Sequence, residues 1–135
     1  MADIRVVTDT FAVAPQLGPA DMSAAAARGF KLVINNRPDG EAPGQPTSAE
    51  MEAAARAAGM DYVQIPFAGR PSDAQADAVR EAAEGAEGPV LAFCRSGTRS
   101  ITAWSIGQAR AGKRPRHELL ELATKAGYDL SGVLN

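Results

Sequence analysis

The residues best suited to chemistry lie in one short stretch, Phe93-Cys94-Arg95-Ser96-Gly97-Thr98-Arg99-Ser100. Cys94 ends an apolar run, small and basic residues follow, and a helical pattern begins within the same stretch. A turn of this kind points successive backbone N–H groups inward as an anion-binding nest, and the positive end of the following helix adds to it. Gly97 permits a backbone angle that a side chain would forbid. Arg99 supplies a planar fork for an oxyanion. These surroundings favour the thiolate, which is the nucleophilic form of a cysteine. A thiolate beside an anion cradle can attack phosphorus or carry a sulfur atom. The amides of Arg95, Ser96, Gly97 and Thr98 are the expected cradle, with the Arg95 side chain turned outward, where it can contact substrate.

The elements that must position this stretch can be read from periodicity. Phe11 to Val13, Lys31 to Asn35, Tyr62 to Ile65 and Pro89 to Phe93 are short apolar or β-branched runs, and read as strands. Helical patterns lie between and after them. Met22 to Arg28 ends at Gly29. Ala49 to Ala58 follows Thr47 or Ser48 as a cap, with Glu50 at capping-box spacing from Thr47, and Asp73 to Glu84 follows Ser72 as a cap. A fourth helix starts in the Cys94 loop and runs to about Ala111, and a fifth covers Arg116 to Ala126. Alternating strands and helices predict an α/β domain with a mainly parallel central sheet flanked by helices. Ligands of such sheets bind at the carboxyl ends of the strands. Three loops therefore converge there, and they carry Arg37, Arg70, Arg95 and Arg99.

Composition narrows the function classes. The chain has 135 residues, a length expected of one domain spanning 1–135. Fourteen Lys and Arg against sixteen Asp and Glu leave a net charge of −2, which argues against a general nucleic-acid or membrane-surface binder. One cysteine and one histidine exclude a disulfide framework and argue against a metal site, and no residue pattern calls for a cofactor. The opening Met1-Ala2-Asp3-Ile4-Arg5 lacks the basic and apolar regions of a signal peptide. No apolar stretch approaches the roughly 20 residues of a membrane helix. A cytoplasmic enzyme or binding domain acting on a phosphorylated or other oxyanionic partner is the expectation; its oligomeric state is left open.

From Tyr62 to Ile106 the sequence resembles the core of protein tyrosine and dual-specificity phosphatases. The resemblance lies in a Tyr-x-x-Ile-Pro strand end, a helix, Gly-Pro-Val-Leu, and a cysteine loop closing on Arg-Ser. A fuller resemblance covers nearly the whole chain. Val13 to Leu17, Val33 to Glu41, Cys94 to Ser100 with Trp104, and Ala126 to Asp129 are similar to the phosphatase-like domain of beta-lactamase hydrolase-like proteins. That bacterial family is often labelled as sulfurtransferases. The resemblance implies a protein tyrosine phosphatase-like architecture. The reaction stays open, because tyrosine phosphatases place the loop arginine one position later, where this chain has Ser100. The shorter loop is similar to that of single-domain rhodaneses, which carry a persulfide. Phe93 stands where tyrosine phosphatases have a histidine, and Ala68-Gly69 where dual-specificity enzymes tend to supply an acidic aspartate. Against a rhodanese, the chain continues through Gly112-Lys113-Arg114-Pro115 into a further helix.

Under the phosphatase reading Cys94 attacks phosphorus, and Arg99 and the loop amides hold the equatorial oxygens. The resemblance implies that Ser100 hydrogen-bonds the departing thiolate; an ordinary first-turn serine is the alternative. Asp39 and Asp73 are the candidate general acids, though the first also reads as a turn residue and the second as a first-turn helix residue. Arg37 and Arg70 would widen a basic mouth. His117 and Lys113 to Arg116 read as surface, and Trp104 as core. Sulfur transfer through a Cys94 persulfide and a non-catalytic oxyanion-binding module are the alternatives.

Overall fold

Runs of β-branched and apolar residues only four residues long become strands here, and in Phe11–Ala14, Leu32–Asn35 and Val90–Phe93 every residue is buried. The computed structural model describes residues 2–134; Met1 and Asn135, the outermost residues of the expected domain, lie outside them. The strands are β1 (Arg5–Thr8), β2 (Phe11–Ala14), β3 (Leu32–Asn35), β4 (Asp61–Gln64) and β5 (Val90–Phe93). They form one sheet in the order β1-β2-β5-β3-β4, parallel throughout except for the β1–β2 hairpin. The helices are α1 (Met22–Ala27), α2 (Ser48–Ala57), α3 (Asp73–Glu84), α4 (Thr98–Arg110) and α5 (Arg116–Lys125). The expected mainly parallel α/β architecture is what the chain adopts.

Alternation along the strands divides the core into two layers, since successive side chains point to opposite faces. Leu32, Ile34, Val90 and Ala92 face one layer with Val79, Ile101, Trp104 and Leu119 from α3, α4 and α5. Val33, Leu91 and Phe93 face the other with Met22 and Met51 from α1 and α2. Trp104 is core, 3% exposed and stacked on Phe11 with ring centroids 5.0 Å apart. Thr47 and Ser72 cap α2 and α3, each in a reciprocal capping box.

One strand was not anticipated. β1 carries only Val6 and Val7 as apolar residues, is interrupted by a bulge, and turns into β2 through Asp9-Thr10. That pair lacks the Asn-Gly or Asp-Gly signature that marks a two-residue hairpin in sequence. β1 pairs only with β2 at the sheet edge, and Val6 is 57% exposed there.

Parallel register aligns the strand ends. Ala14 pairs with Phe93, Phe93 with Asn35, and Asn35 with Gln64. The segments following β2, β3, β4 and β5 therefore leave the sheet at one edge, and the Cys94 loop emerges between two of them.

Candidate functional site

The Cys94 loop is anchored from both neighbours. The Cys94 amide donates to Ala14 O at 3.4 Å, the Gln16 amide to Arg95 O at 3.2 Å, and the Asn36 amide to Phe93 O at 2.9 Å. The chain then turns at Gly97, whose φ of 90° is left-handed. A Cβ at this position would collide with the Tyr128 hydroxyl, so glycine is required on two grounds. α4 begins immediately afterwards, and its cap has no side-chain partner. Beyond Thr98, the first-turn amides of Arg99 and Ser100 are the ones open to an anion, the usual condition of a helix N-terminus that receives one.

Cys94 lies at the floor of this turn, fully buried. Its Sγ accepts a hydrogen bond from the Gly97 amide at 3.1 Å. Thr98 is arranged differently from the expected inward ring: its amide approaches Ser96 Oγ at 3.4 Å, and Ser96 Oγ bonds Thr98 Oγ1 at 3.0 Å. Arg95 is exposed. Ser100 is fully buried, and its Oγ has no partner among the described residues, leaving a donor available beneath the loop.

Arg99 is held by a residue outside the expected set. Glu41 receives Arg99 Nη1 and Nη2 on its two oxygens, each at 2.8 Å, and Arg99 Nη1 also donates to Phe67 O at 2.9 Å. A guanidinium has five N–H donors, so this grip leaves the Nε–H and one Nη2–H. The Arg99 pKa is raised, chiefly by the hydrogen bond to Glu41 and further by the nearby charge of Cys94. Glu41 in turn is held at about 2 by its hydrogen bonds to Arg99 and then Arg37, far below the ordinary carboxyl range.

Several expected site residues stand elsewhere. Arg37 does not widen a mouth. It is 4% exposed and donates to Glu41 Oε1 at 2.8 Å and to Gln16 Oε1 at 3.0 Å, so it braces the carboxylate that braces Arg99. Asp39 turns its carboxylate to the Ser48 amide at 2.8 Å, at the start of α2. Asp73 pairs with Arg110 at 3.1 Å, at the far end of α4 from the loop. That helix has 13 residues and so spans about 18 Å. Both aspartates fulfil the local roles available to them in the sequence, turn and first helical turn, and neither sits on the loop. Arg70 donates to Val133 O at 3.1 Å and, with Gly69, Thr98, Arg99, Thr102 and Val133, lines a cleft of about 220 Å³ beside Arg99. His117 is exposed as expected. Arg114 and Arg116 are less idle than a solvated connection implies. Arg114 lies over the Trp104 ring at 5.8 Å, and Arg116 donates to Leu134 O at 2.7 Å.

Sequence reasoning passed over Glu41 and Tyr128. Glu41 closes the block Asn36 to Glu41, where an acid four residues after an arginine was the available signal. Tyr128 has no local signal for a loop some thirty residues upstream. Among the described residues no group of three or more His, Cys, Asp or Glu side chains could hold a metal ion, and no helix is long and apolar enough to cross a membrane.

A five-stranded sheet of this order, with a buried cysteine opening an arginine-closed loop ahead of a helix, makes an α/β domain of phosphatase-like fold. Within that class, the chain belongs to the family of the beta-lactamase hydrolase-like protein, phosphatase-like domain, which it matches over residues 3–111. It is 41% identical over 126 residues to a beta-lactamase hydrolase-like protein of Agrobacterium fabrum, a match covering 92% of this chain and 29% of that protein. Its identity to the Xylella fastidiosa counterpart is 34% over 125 residues, with the same coverage. The chain thus spans under a third of the length of these curated relatives. Among solved structures, a Neisseria meningitidis protein described as a candidate phosphatase superposes with a TM-score of 0.85 at 33% identity, covering 96% of this chain and 92% of that one. Pseudomonas aeruginosa TpbA, solved in complex with phosphotyrosine, shares the fold at a TM-score of 0.66 and 18% identity, covering 93% of this chain and 75% of that one.

Proposed function

We propose that this domain is a cysteine-dependent phosphatase-like hydrolase in which Cys94 attacks the phosphorus of a small, activated phosphoryl ester. The carrying observation is the Gly97 amide on Cys94 Sγ, in a loop whose closing arginine, Arg99, is held by Glu41 and Phe67 O. In the first step an S–P bond forms as the P–O bond to the leaving group breaks, and the leaving oxide takes its proton from water. Water then attacks phosphorus, the S–P bond breaks, and inorganic phosphate departs. The unused Arg99 donors and the Arg99 and Ser100 amides in the first turn of α4 stabilise the equatorial oxygens. The buried Ser100 hydroxyl, which has no partner among the described residues, would donate to the thiolate as it leaves.

The substrate class follows from how the candidate acids are engaged. A positioned general acid contributes about 10²–10⁴ in rate. Asp39 and Asp73 are engaged elsewhere, and Glu41, held at about 2, is ionised at neutral pH and has no proton to give. Esters whose leaving groups are stable as anions, such as aryl phosphates, need that acid least. Purified protein should hydrolyse p-nitrophenyl phosphate between about pH 5 and pH 8 and lose that activity on Cys94→Ser. Absence of turnover, or turnover indifferent to the substitution, refutes the proposal.

Sulfur transfer is the second reading, favoured by the same engagement of the candidate acids and by the loop in which Arg99 follows Cys94 one position early. There the thiolate attacks the outer sulfur of thiosulfate, the S–S bond breaks, sulfite leaves unprotonated, and Cys94 holds a persulfide. Cyanide then takes the outer sulfur as thiocyanate. Thiocyanate production with a mass gain of one sulfur atom on Cys94 would select this reading. Tight oxyanion binding with neither activity would mark a binding module.

A further inference from the structure

We propose that Tyr128 is a positioning residue for Cys94: its hydroxyl grips one side of the Ser96–Gly97 peptide so that the other side stays presented to the sulfur. The inference rests on the nucleophilic role given to Cys94 above. Tyr128 Oη donates to Ser96 O at 2.9 Å, and the Gly97 amide donates to Cys94 Sγ at 3.1 Å. That carbonyl and that N–H belong to the same peptide unit. A trans peptide is planar, with its C=O and N–H directed oppositely. Holding the oxygen on the outside of the loop therefore holds the hydrogen on the inside.

The grip is needed because the flanking residue is glycine. With a φ of 90° and no Cβ, Gly97 leaves the peptide before it free to turn over. A flipped peptide would present a carbonyl oxygen to a thiolate, exchanging attraction for repulsion. The fit is close enough that a Cβ on Gly97 would strike the Tyr128 hydroxyl. The two hydrogen bonds also polarise each other through the shared peptide, since donation to the carbonyl strengthens the N–H as a donor.

Distant parts of the chain hold Tyr128 in place. The Arg5 guanidinium of β1 lies over its ring at 5.1 Å and donates to Ala126 O at 3.3 Å, while Asp3 takes the other edge of Arg5 at 2.9 Å. Burial, countered in part by Arg5, keeps the phenol above its ordinary pKa, so it remains a donor at neutral pH. The segment after α5, which the hydrolytic mechanism does not otherwise use, thereby reaches the reacting sulfur through one peptide.

Tyr128→Phe removes the hydroxyl and keeps the ring under Arg5. It should lower the rate of Cys94 alkylation by iodoacetamide at neutral pH by about three- to tenfold. It should lower kcat on the aryl phosphate similarly while leaving KM little changed. Independently of turnover, the Gly97 amide proton resonance should differ between wild type and Cys94→Ala, and in Tyr128→Phe it should move toward the Cys94→Ala position. A thermal melt close to wild type identifies the effect as local. A Tyr128→Phe protein with wild-type alkylation and a wild-type Gly97 resonance overturns the proposal. A wild-type protein inactive toward both substrates but showing the resonance shift would remove the catalytic reading and leave the positioning role standing.

Discussion

Glu41 is the most informative residue to change, because one carboxylate binds both arginines of the site. In Glu41→Gln the side chain keeps its length and an acceptor oxygen but loses its charge. A carboxyl held at about 2 against an ordinary 4.5 reflects at most about 3 kcal/mol of preference for the ionised form. Its side chain is 26% exposed, so water screens part of that and about 1–2 kcal/mol is the working figure. The loss of neutralisation at Arg37, which is 4% exposed, adds to the cost and brings the expected destabilisation to about 2 kcal/mol at pH 7. The sign with pH follows from a depressed acid. The stabilisation is complete above about pH 4.5 and is lost as pH falls toward about 2, where the folded-state carboxylate takes up its proton. The glutamine variant has no such group, so the two stability curves should converge over that window. Urea unfolding followed by circular dichroism at pH 7 and at successively lower pH measures both quantities. A gap under about 0.5 kcal/mol at pH 7, or one that stays constant down to about pH 3, would refute the reasoning.

Three further outcomes are expected. Asp39→Asn and Asp73→Asn should each leave aryl phosphate turnover within about twofold of wild type; a fall of about 10²–10⁴ in either would restore that residue as the general acid. Gly107→Ala should destabilise the fold by about 1–3 kcal/mol in thermal or urea unfolding. The new Cβ would meet Ala76 O of α3 at 2.7 Å, and forcing the helices apart outweighs the roughly 1 kcal/mol that alanine gains in a helix; equal or greater stability would show that α3 yields. Trp104→Ala, which removes the ring stacked on Phe11, should cost about 3–5 kcal/mol by the same measurement, and a loss below about 1 kcal/mol would contradict its place in the core.

Local patterns carried most of the architecture. Asp73–Glu84 falls between the expected bounds because Ser72 and Gln75 cap it reciprocally, information contained in four residues. β3 and β5 were legible because continuous apolar runs mark strands covered on both faces. β1 was not, since an edge strand with two valines and an unmarked turn carries too little local preference to stand apart from a loop. The Cys94 loop was likewise readable, because its glycine, arginine and following helix are neighbours in the chain.

What the sequence alone determined, then, was the kind of fold and the cysteine loop that carries the candidate nucleophile, all properties of contiguous residues. Tertiary structure decided which charged groups serve that loop. Asp39 and Asp73 were credible acids until the Ser48 amide and Arg110 claimed them, and Arg37 passed from an exposed cation to a buried brace. Glu41 and Tyr128 joined the site only when parallel register and the packing of the segment after α5 brought them to it. The physical reason is range. Capping, periodicity and turn preference act over a few residues, whereas the partner of an ion pair or a hydrogen bond is chosen by whichever side chain folding delivers within about 3 Å.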